Sequence, residues 1–105
     1  MIKVSLKYDK ELIDSISISG HALFDDYGKD IVCASVSSIV ITTINAIVRL
    51  NSDSISYKEE NGIYISILSH NNITDTLIDN MVSLLEELEK QYKKNIIINK
   101  EVCSC

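Results

Sequence analysis

Residues that interrupt regular structure are scarce in this chain of 105 residues, which contains no proline and three glycines. No linker rich in proline or glycine, no low-complexity segment and no convincing internal repeat divides the sequence. Because 46% of the residues are hydrophobic, disorder is disfavoured. We therefore expect one folded domain over 1–105, with a modest core.

Basic residues are also in the minority. The sequence has 10 lysines and arginines against 15 aspartates and glutamates, for a formal net charge of −5. Phosphate contacts require clustered basic side chains, so this composition argues against direct binding of nucleic acid. An acidic domain is better suited to a basic protein partner.

Cysteine is too rare, and odd in number at three, to form a disulfide framework. The chain opens directly into alternating residues rather than a signal peptide, so we expect a reducing, cytoplasmic setting. Cys103 and Cys105 could join His21 and Cys33 as zinc-type ligands, but a Cys-X-Cys tail alone is a weak signal. We predict no metal and no cofactor, and a frayed, redox-sensitive tail.

Alternating apolar and polar residues predict four strands, at 2–8, 13–19, 54–59 and 63–67. The apolar run at 96–98 predicts a last, buried strand. Asn61-Gly62 is a strong signal for a two-residue hairpin turn, because both residues tolerate positive φ. In the third strand we expect Ile55 and Tyr57 to point inward.

A long helix is predicted over 31–50. Its polar residues form one narrow stripe, made of Ser35, Ser38, Thr42, Asn45 and Arg49. The other positions are mostly Ile, Val and Ala, so the helix should be buried on most sides. Twenty such residues could span a bilayer, but the polar stripe argues against it. We expect the central helix of a small domain, partly covered by a second subunit.

A second helix is predicted to follow a cap at Asn71-Asn72. The apolar face expected for it consists of Ile73, Leu77, Met81, Leu84, Leu85, Leu88 and Tyr92. His70 precedes this helix and is expected to be solvated. The element order β-β-α-β-β-α-β predicts an α/β domain of the α+β type, with two helices packed on a mostly antiparallel sheet.

His21 and Cys33 are the candidate catalytic residues. His21 follows the second strand directly, and Cys33 falls near the predicted start of the first helix, with Asp30 as its expected N-cap. A helix N-terminus favours a thiolate, and a nearby imidazole can act as its base. Each residue alone has a simpler interpretation: Cys33 as an ordinary buried thiol, and His21 as a structural histidine. Asp30 could instead orient His21.

The segment 22–29 between these two residues has no clear periodicity and is expected to be a loop. Its aromatic residues Phe24 and Tyr27 could form a mobile lid over the site, or could attach the loop to the core. Candidate substrate contacts are Ala22, Phe24, Tyr27, Gly28 and Ser37. Backbone N–H groups around 32–34 are expected to stabilise an oxyanion.

The strings GHA at 20–22 and GKDIVCASVS at 28–37 resemble the ribosomal-processing cysteine proteases of bacteria, the Prp family. Ser35 stands where that family more often has alanine. The resemblance implies a small α/β homodimer that removes the N-terminal extension of large-subunit ribosomal protein twenty-seven. It also implies that Cys33 is the nucleophile and that His21 is the general base and acid.

The alternative is a non-catalytic, ribosome-associated protein-binding module on the same fold. A binding role requires neither His21 nor Cys33. The two hypotheses therefore differ in thiol reactivity: a catalytic Cys33 should alkylate faster than Cys103 or Cys105 and should depend on His21.

Overall fold

The computed structural model describes residues 1–20 and 27–102, with the backbone alone at 27–30. The elements are β1 (Ile2–Asp9), β2 (Leu12–Ser19), α1 (Tyr27–Leu50), β3 (Ile55–Glu59), β4 (Ile63–Ile67), α2 (Asn72–Gln91) and β5 (Ile96–Val102). They form a five-stranded sheet in the order β3-β4-β2-β1-β5. Among the strands in the described part of the chain, only the β1–β5 pair is parallel, so the predicted element order and mostly antiparallel sheet are confirmed.

Alternation along the strands places the core on one face of the sheet. Val4 and Leu6 of β1 lie opposite Ile18 and Ile16 of β2, and all four are buried. A register shift between Lys7 and Tyr8 inserts one extra residue into β2 and turns Ile13 toward the same face. The opposite face is polar and carries a series of serines, Ser5, Ser15, Ser17, Ser19, Ser56 and Ser66.

α1 packs on the apolar face of the sheet through a continuous stripe. Its members are Val32, Val36, Val40, Ile44 and Ile47, each fully or almost fully buried. The predicted polar stripe lies on the opposite side of the helix and is exposed, apart from a half-buried Ser35. By length and composition the stretch Ile31–Leu50, with a mean hydropathy of 2.1, is long enough to cross a membrane. A core helix passes the same test, and this one contributes a buried stripe to the core.

The start of α1 differs from the prediction. The helix begins at Tyr27, so residues 27–29 are helical rather than part of a loop. Asp30 is the fourth helical residue and is therefore not the N-cap. The first turn carries no apolar periodicity and contains Gly28, which costs about 1 kcal/mol relative to alanine. That cost is offset because adding a turn to an existing helix is favourable.

α2 starts at the predicted cap. Asn71 is the N-cap residue, and its side chain accepts a hydrogen bond from the Thr74 N–H at 2.9 Å. The predicted apolar face was partly wrong, because Ile73 and Leu84 are exposed. The buried residues of α2 are Thr74, Ile78, Met81, Val82, Leu85 and Leu88.

Tyr57 has the predicted orientation but is less buried than predicted. Its side chain lies on the same face of β3 as the buried Ile55, yet it remains 47% exposed. β3 is an edge strand, and the helices do not extend over this part of it. Alternation therefore predicted the correct face, but not how far the helices cover it.

Candidate active site

Gly20 fixes how the chain leaves the sheet at the end of β2. Its φ is +80°, a value that side chains rarely tolerate, and an added Cβ would collide with the carbonyl oxygen of Met1. The backbone therefore turns sharply directly before His21. His21, Ala22 and Phe24 lie outside the described residues, and so do the side chains of Tyr27 and Asp30. Gly28 is described by its backbone alone.

Cys33 lies in the second turn of α1 and is half-buried beside the core. Around the helix axis, Cys33 is rotated by 100° from Val32 and by about 60° from Val36, and both valines are buried. Its sulfur therefore belongs to one flank of the buried stripe. Ser37 is one turn further along the same flank and is also half-buried. The structure thus places these two predicted site residues together.

The predicted oxyanion donors are wrong. In a helix that begins at Tyr27, the N–H groups of 32–34 donate to carbonyl oxygens four residues earlier, at 28–30. They are therefore engaged within α1. The helix dipole acts mainly over the first turn, so it stabilises a Cys33 thiolate less than a cysteine at the helix start.

The flank that carries Cys33 faces away from α2. The opposite flank of α1 forms a groove of about 520 Å³ with α2, lined by Ala34, Ser35, Ser38, Ile39, Leu84, Glu87, Leu88 and Gln91. α2 lies over the β5 side of the sheet, because Glu86 and Glu89 both contact β5. Cys33 and Ser37 therefore face the β4–β3 side.

His70 does not belong to this region. Its Nδ1 lies 2.8 Å from a carboxylate oxygen of Asp75 in the first turn of α2. Its side chain is exposed, as expected, but it is bonded rather than simply solvated. Together with the β1–β2 turn it lines a cavity of about 520 Å³. That turn lies at the opposite end of β2 from Gly20, so His70 is remote from the end where His21 follows β2.

Within residues 1–20 and 31–102, no group of three or more His, Cys, Asp and Glu side chains is arranged to hold a metal ion. Cys103, Cys105 and His21, three of the four residues considered and set aside as zinc ligands, fall outside the described part of the chain.

Comparison with known proteins identifies the class to which this domain belongs. A family model described as Cysteine protease Prp matches residues 1–97. The ribosomal processing cysteine protease Prp of Staphylococcus aureus strain Mu50 is 31% identical over 104 residues, covering 94% of this chain and 98% of the relative. The Bacillus subtilis protein of the same name is 28% identical, covering 97% and 99%.

Solved structures agree with the sequence matches. The S. aureus ribosomal processing protease Prp, in complex with a substrate peptide, superposes with a TM-score of 0.88 at 27% identity. The superposition covers 96% of this chain and 100% of that one. A Streptococcus mutans protein of 22% identity shares the fold, with a TM-score of 0.87, covering 98% of this chain and 96% of that one. The chain is thus a cysteine protease. It belongs to the Prp family of ribosomal processing proteases.

Proposed function

We propose that this protease removes the N-terminal extension of large-subunit ribosomal protein twenty-seven, with Cys33 as nucleophile and His21 as general base and acid. The observation that carries the proposal is the position of Cys33. Its half-buried thiol lies on the flank of α1 that faces away from α2. His21 follows directly on Gly20, at the end of the sheet from which the chain continues to α1.

The proposed reaction proceeds through a thioester. His21 takes the proton from the Cys33 thiol, and the thiolate attacks the scissile carbonyl carbon. His21 then donates that proton to the leaving amine, and water hydrolyses the acyl-enzyme to free Cys33. The oxyanion requires donors other than the N–H groups of 32–34. In α1, the N–H groups without an intrahelical acceptor belong to the first turn.

Relatives support this chemistry. The S. aureus ribosomal processing protease Prp has been crystallised with a substrate peptide and with a covalently linked product peptide. A covalent link to a peptide is expected of a protease that acts through a nucleophile. By analogy we propose a ribosomal protein peptide as the substrate here, contacted by Ala22, Phe24, Tyr27, Gly28 and Ser37.

Thiol reactivity tests the roles of the two residues. Cys33 should react with iodoacetamide at neutral pH faster than Cys103 and Cys105, measured by mass spectrometry of labelled peptides. A His21→Ala variant should slow the labelling of Cys33 and leave the labelling of the other two unchanged. Equal rates that do not depend on His21 would favour the non-catalytic binding module.

We also propose that the protein is a cytoplasmic homodimer. The stretch Ile31–Leu50 has a mean hydropathy of 2.1, yet only 33% of it is buried within one chain. Exposed apolar residues of α1 include Ile31, Val48 and Leu50. Burial of such a surface against a second copy would be favourable. Sedimentation should give twice the 11.8 kDa mass of the chain, and a monomer at all concentrations would contradict the proposal.

A further inference from the structure

The two edges of the sheet are not equivalent. β5 forms one edge and β3 forms the other. At β5 the N–H of Ile2 donates to the Asn95 carbonyl, so the parallel register turns the N–H groups of Ile96 and Ile98 outward. Both of these groups, which lie in the first half of β5, are already occupied. Ile96 donates to the Tyr92 carbonyl at 3.3 Å, and Ile98 donates to a carboxylate oxygen of Glu89 at 2.8 Å.

The β3 edge carries no such cover in the part of the chain that the structure describes. Leu68 donates to the Ser54 carbonyl at 2.7 Å, and Glu60 donates to the Gly62 carbonyl at 2.9 Å. These bonds fix the phase of the antiparallel ladder, so even-numbered residues from 54 to 60 pair with β4. The N–H and C=O groups of Ile55, Tyr57 and Glu59 therefore point outward.

This open edge lies on the side of the domain that carries Cys33. The flank of α1 with Cys33 and Ser37 faces away from α2, toward β4 and β3. β3 starts just after the C-terminal end of α1 and runs back toward the Cys33 end. Cys33 lies roughly 25 Å along α1 from Leu50, and β3 rises roughly 13 Å in that direction.

We propose that the β3 edge binds the main chain of the peptide substrate, which adds to the sheet as a sixth strand and so leads its scissile bond toward Cys33. The inference rests on the proposed protease function and deepens it. The outward groups of Ile55, Tyr57 and Glu59 recur every second residue, which is the spacing of an extended backbone. The half-exposed ring of Tyr57 then contacts a side chain of the added strand.

Hydrogen exchange tests the proposal without requiring activity. The probe is a synthetic peptide that spans the N-terminal extension and cleavage region of ribosomal protein twenty-seven from the same genome. It is added to a Cys33→Ala protein, and amide exchange is followed by NMR. The peptide should slow exchange of the Ile55, Tyr57 and Glu59 amides about 10-fold or more. Amides that already pair with β4, such as Lys58, should be unchanged.

Tyr57→Pro is the test variant, because it removes an outward N–H, together with the ring, without removing a ladder hydrogen bond to β4. Proline is tolerated on an edge strand where its nitrogen faces solvent. This variant should keep the fold and weaken peptide binding about 5- to 30-fold. Tyr57→Ala is the matched control, because it also loses the ring but retains the N–H, and it should weaken binding less. Lys58→Pro removes a ladder hydrogen bond and should instead destabilise the sheet.

Other results of the hydrogen-exchange experiment would overturn the proposal that the β3 edge binds the substrate. Protection confined to other elements, or no binding up to the solubility limit of the peptide, overturns the proposal. Protection of the same amides that grows with protein concentration in the absence of peptide assigns the edge to a second copy and also overturns it. Cleavage by the wild-type protein is measured in parallel, so normal cleavage with an unprotected edge would leave the protease function intact.

Discussion

The carboxylate of Glu89 on α2 accepts a hydrogen bond from the backbone N–H of Ile98 on β5, at 2.8 Å. Both groups are partly buried, so loss of the acceptor would leave a backbone donor without a partner in a poorly solvated place. This side chain both fastens α2 to the sheet and occupies one outward N–H of β5, which hinders pairing of another strand at that part of the edge.

Glu89→Ala should therefore lower the free energy of unfolding by about 1–2 kcal/mol, measured by urea denaturation. Exchange of the Ile98 amide should accelerate in the same variant. Glu89→Gln keeps an acceptor oxygen and should lose less than about 1 kcal/mol. Equal losses of unfolding free energy in the two variants would contradict this account, because they would show that the charge of Glu89, and not its hydrogen bond, stabilises the fold.

The neighbouring contact of α2 with β5 should contribute less. Lys100 Nζ lies 3.1 Å from Glu86, and both side chains are substantially exposed. The hydrogen bond and the charge of Glu86 raise the pKa of Lys100. A raised lysine pKa stabilises the fold at neutral pH, and this contribution is lost as the pH rises through the folded-state pKa. Glu86→Gln should cost less than about 1 kcal/mol at neutral pH. A cost equal to that of Glu89→Ala would contradict this ranking.

Asn71 connects the start of α2 to the turn before β3. Its side chain accepts from the Thr74 N–H and donates to the hydroxyl of the fully buried Ser54 at 3.1 Å. Asn71→Ala should lower the free energy of unfolding by about 1–2 kcal/mol. Asn71→Asp retains the capping oxygen and should lose less, and Asn72→Ala at the exposed neighbour should be nearly neutral. The three variants are compared by thermal denaturation. A midpoint temperature of Asn71→Ala equal to that of the wild type would show that the cap is unimportant.

Gly20 should be intolerant of any side chain. Gly20→Ala places a Cβ against the Met1 carbonyl at a positive φ, so the β1–β2 end of the sheet must shift. We expect a loss of about 2–4 kcal/mol in stability. Because His21 follows directly, protease activity should fall in the protein that remains folded. Ser19→Ala is the control and should leave both properties nearly unchanged.

Most of the fold could be predicted from the sequence because apolar and polar residues alternate along most of the strands. The exceptions have physical causes. Tyr57 lies on the predicted face of β3, but β3 is an edge strand and the ring is 47% exposed. How far the helices cover a strand depends on the assembled domain and not on the pattern of that strand. Leu84 fits an apolar helical pattern but is 45% exposed, because α2 packs through Ile78 and Val82 instead.

The candidate site was less predictable. The apolar pattern that marks α1 begins at Ile31, whereas the helix begins at Tyr27, because a first turn needs no buried face. That single turn moves Cys33 away from the helix start and changes the expected source of oxyanion donors. The shared flank of Cys33 and Ser37 follows from their spacing of four residues, which the sequence does show.

The most direct test of the central claim is cleavage of the full-length precursor of ribosomal protein twenty-seven from the same genome. Wild-type protein, Cys33→Ser and His21→Ala would be compared, with mass spectrometry of the products. We predict a single new N-terminus with the wild type and none with either variant. An intact precursor that nevertheless binds tightly to the wild type would contradict the protease account and support a binding module.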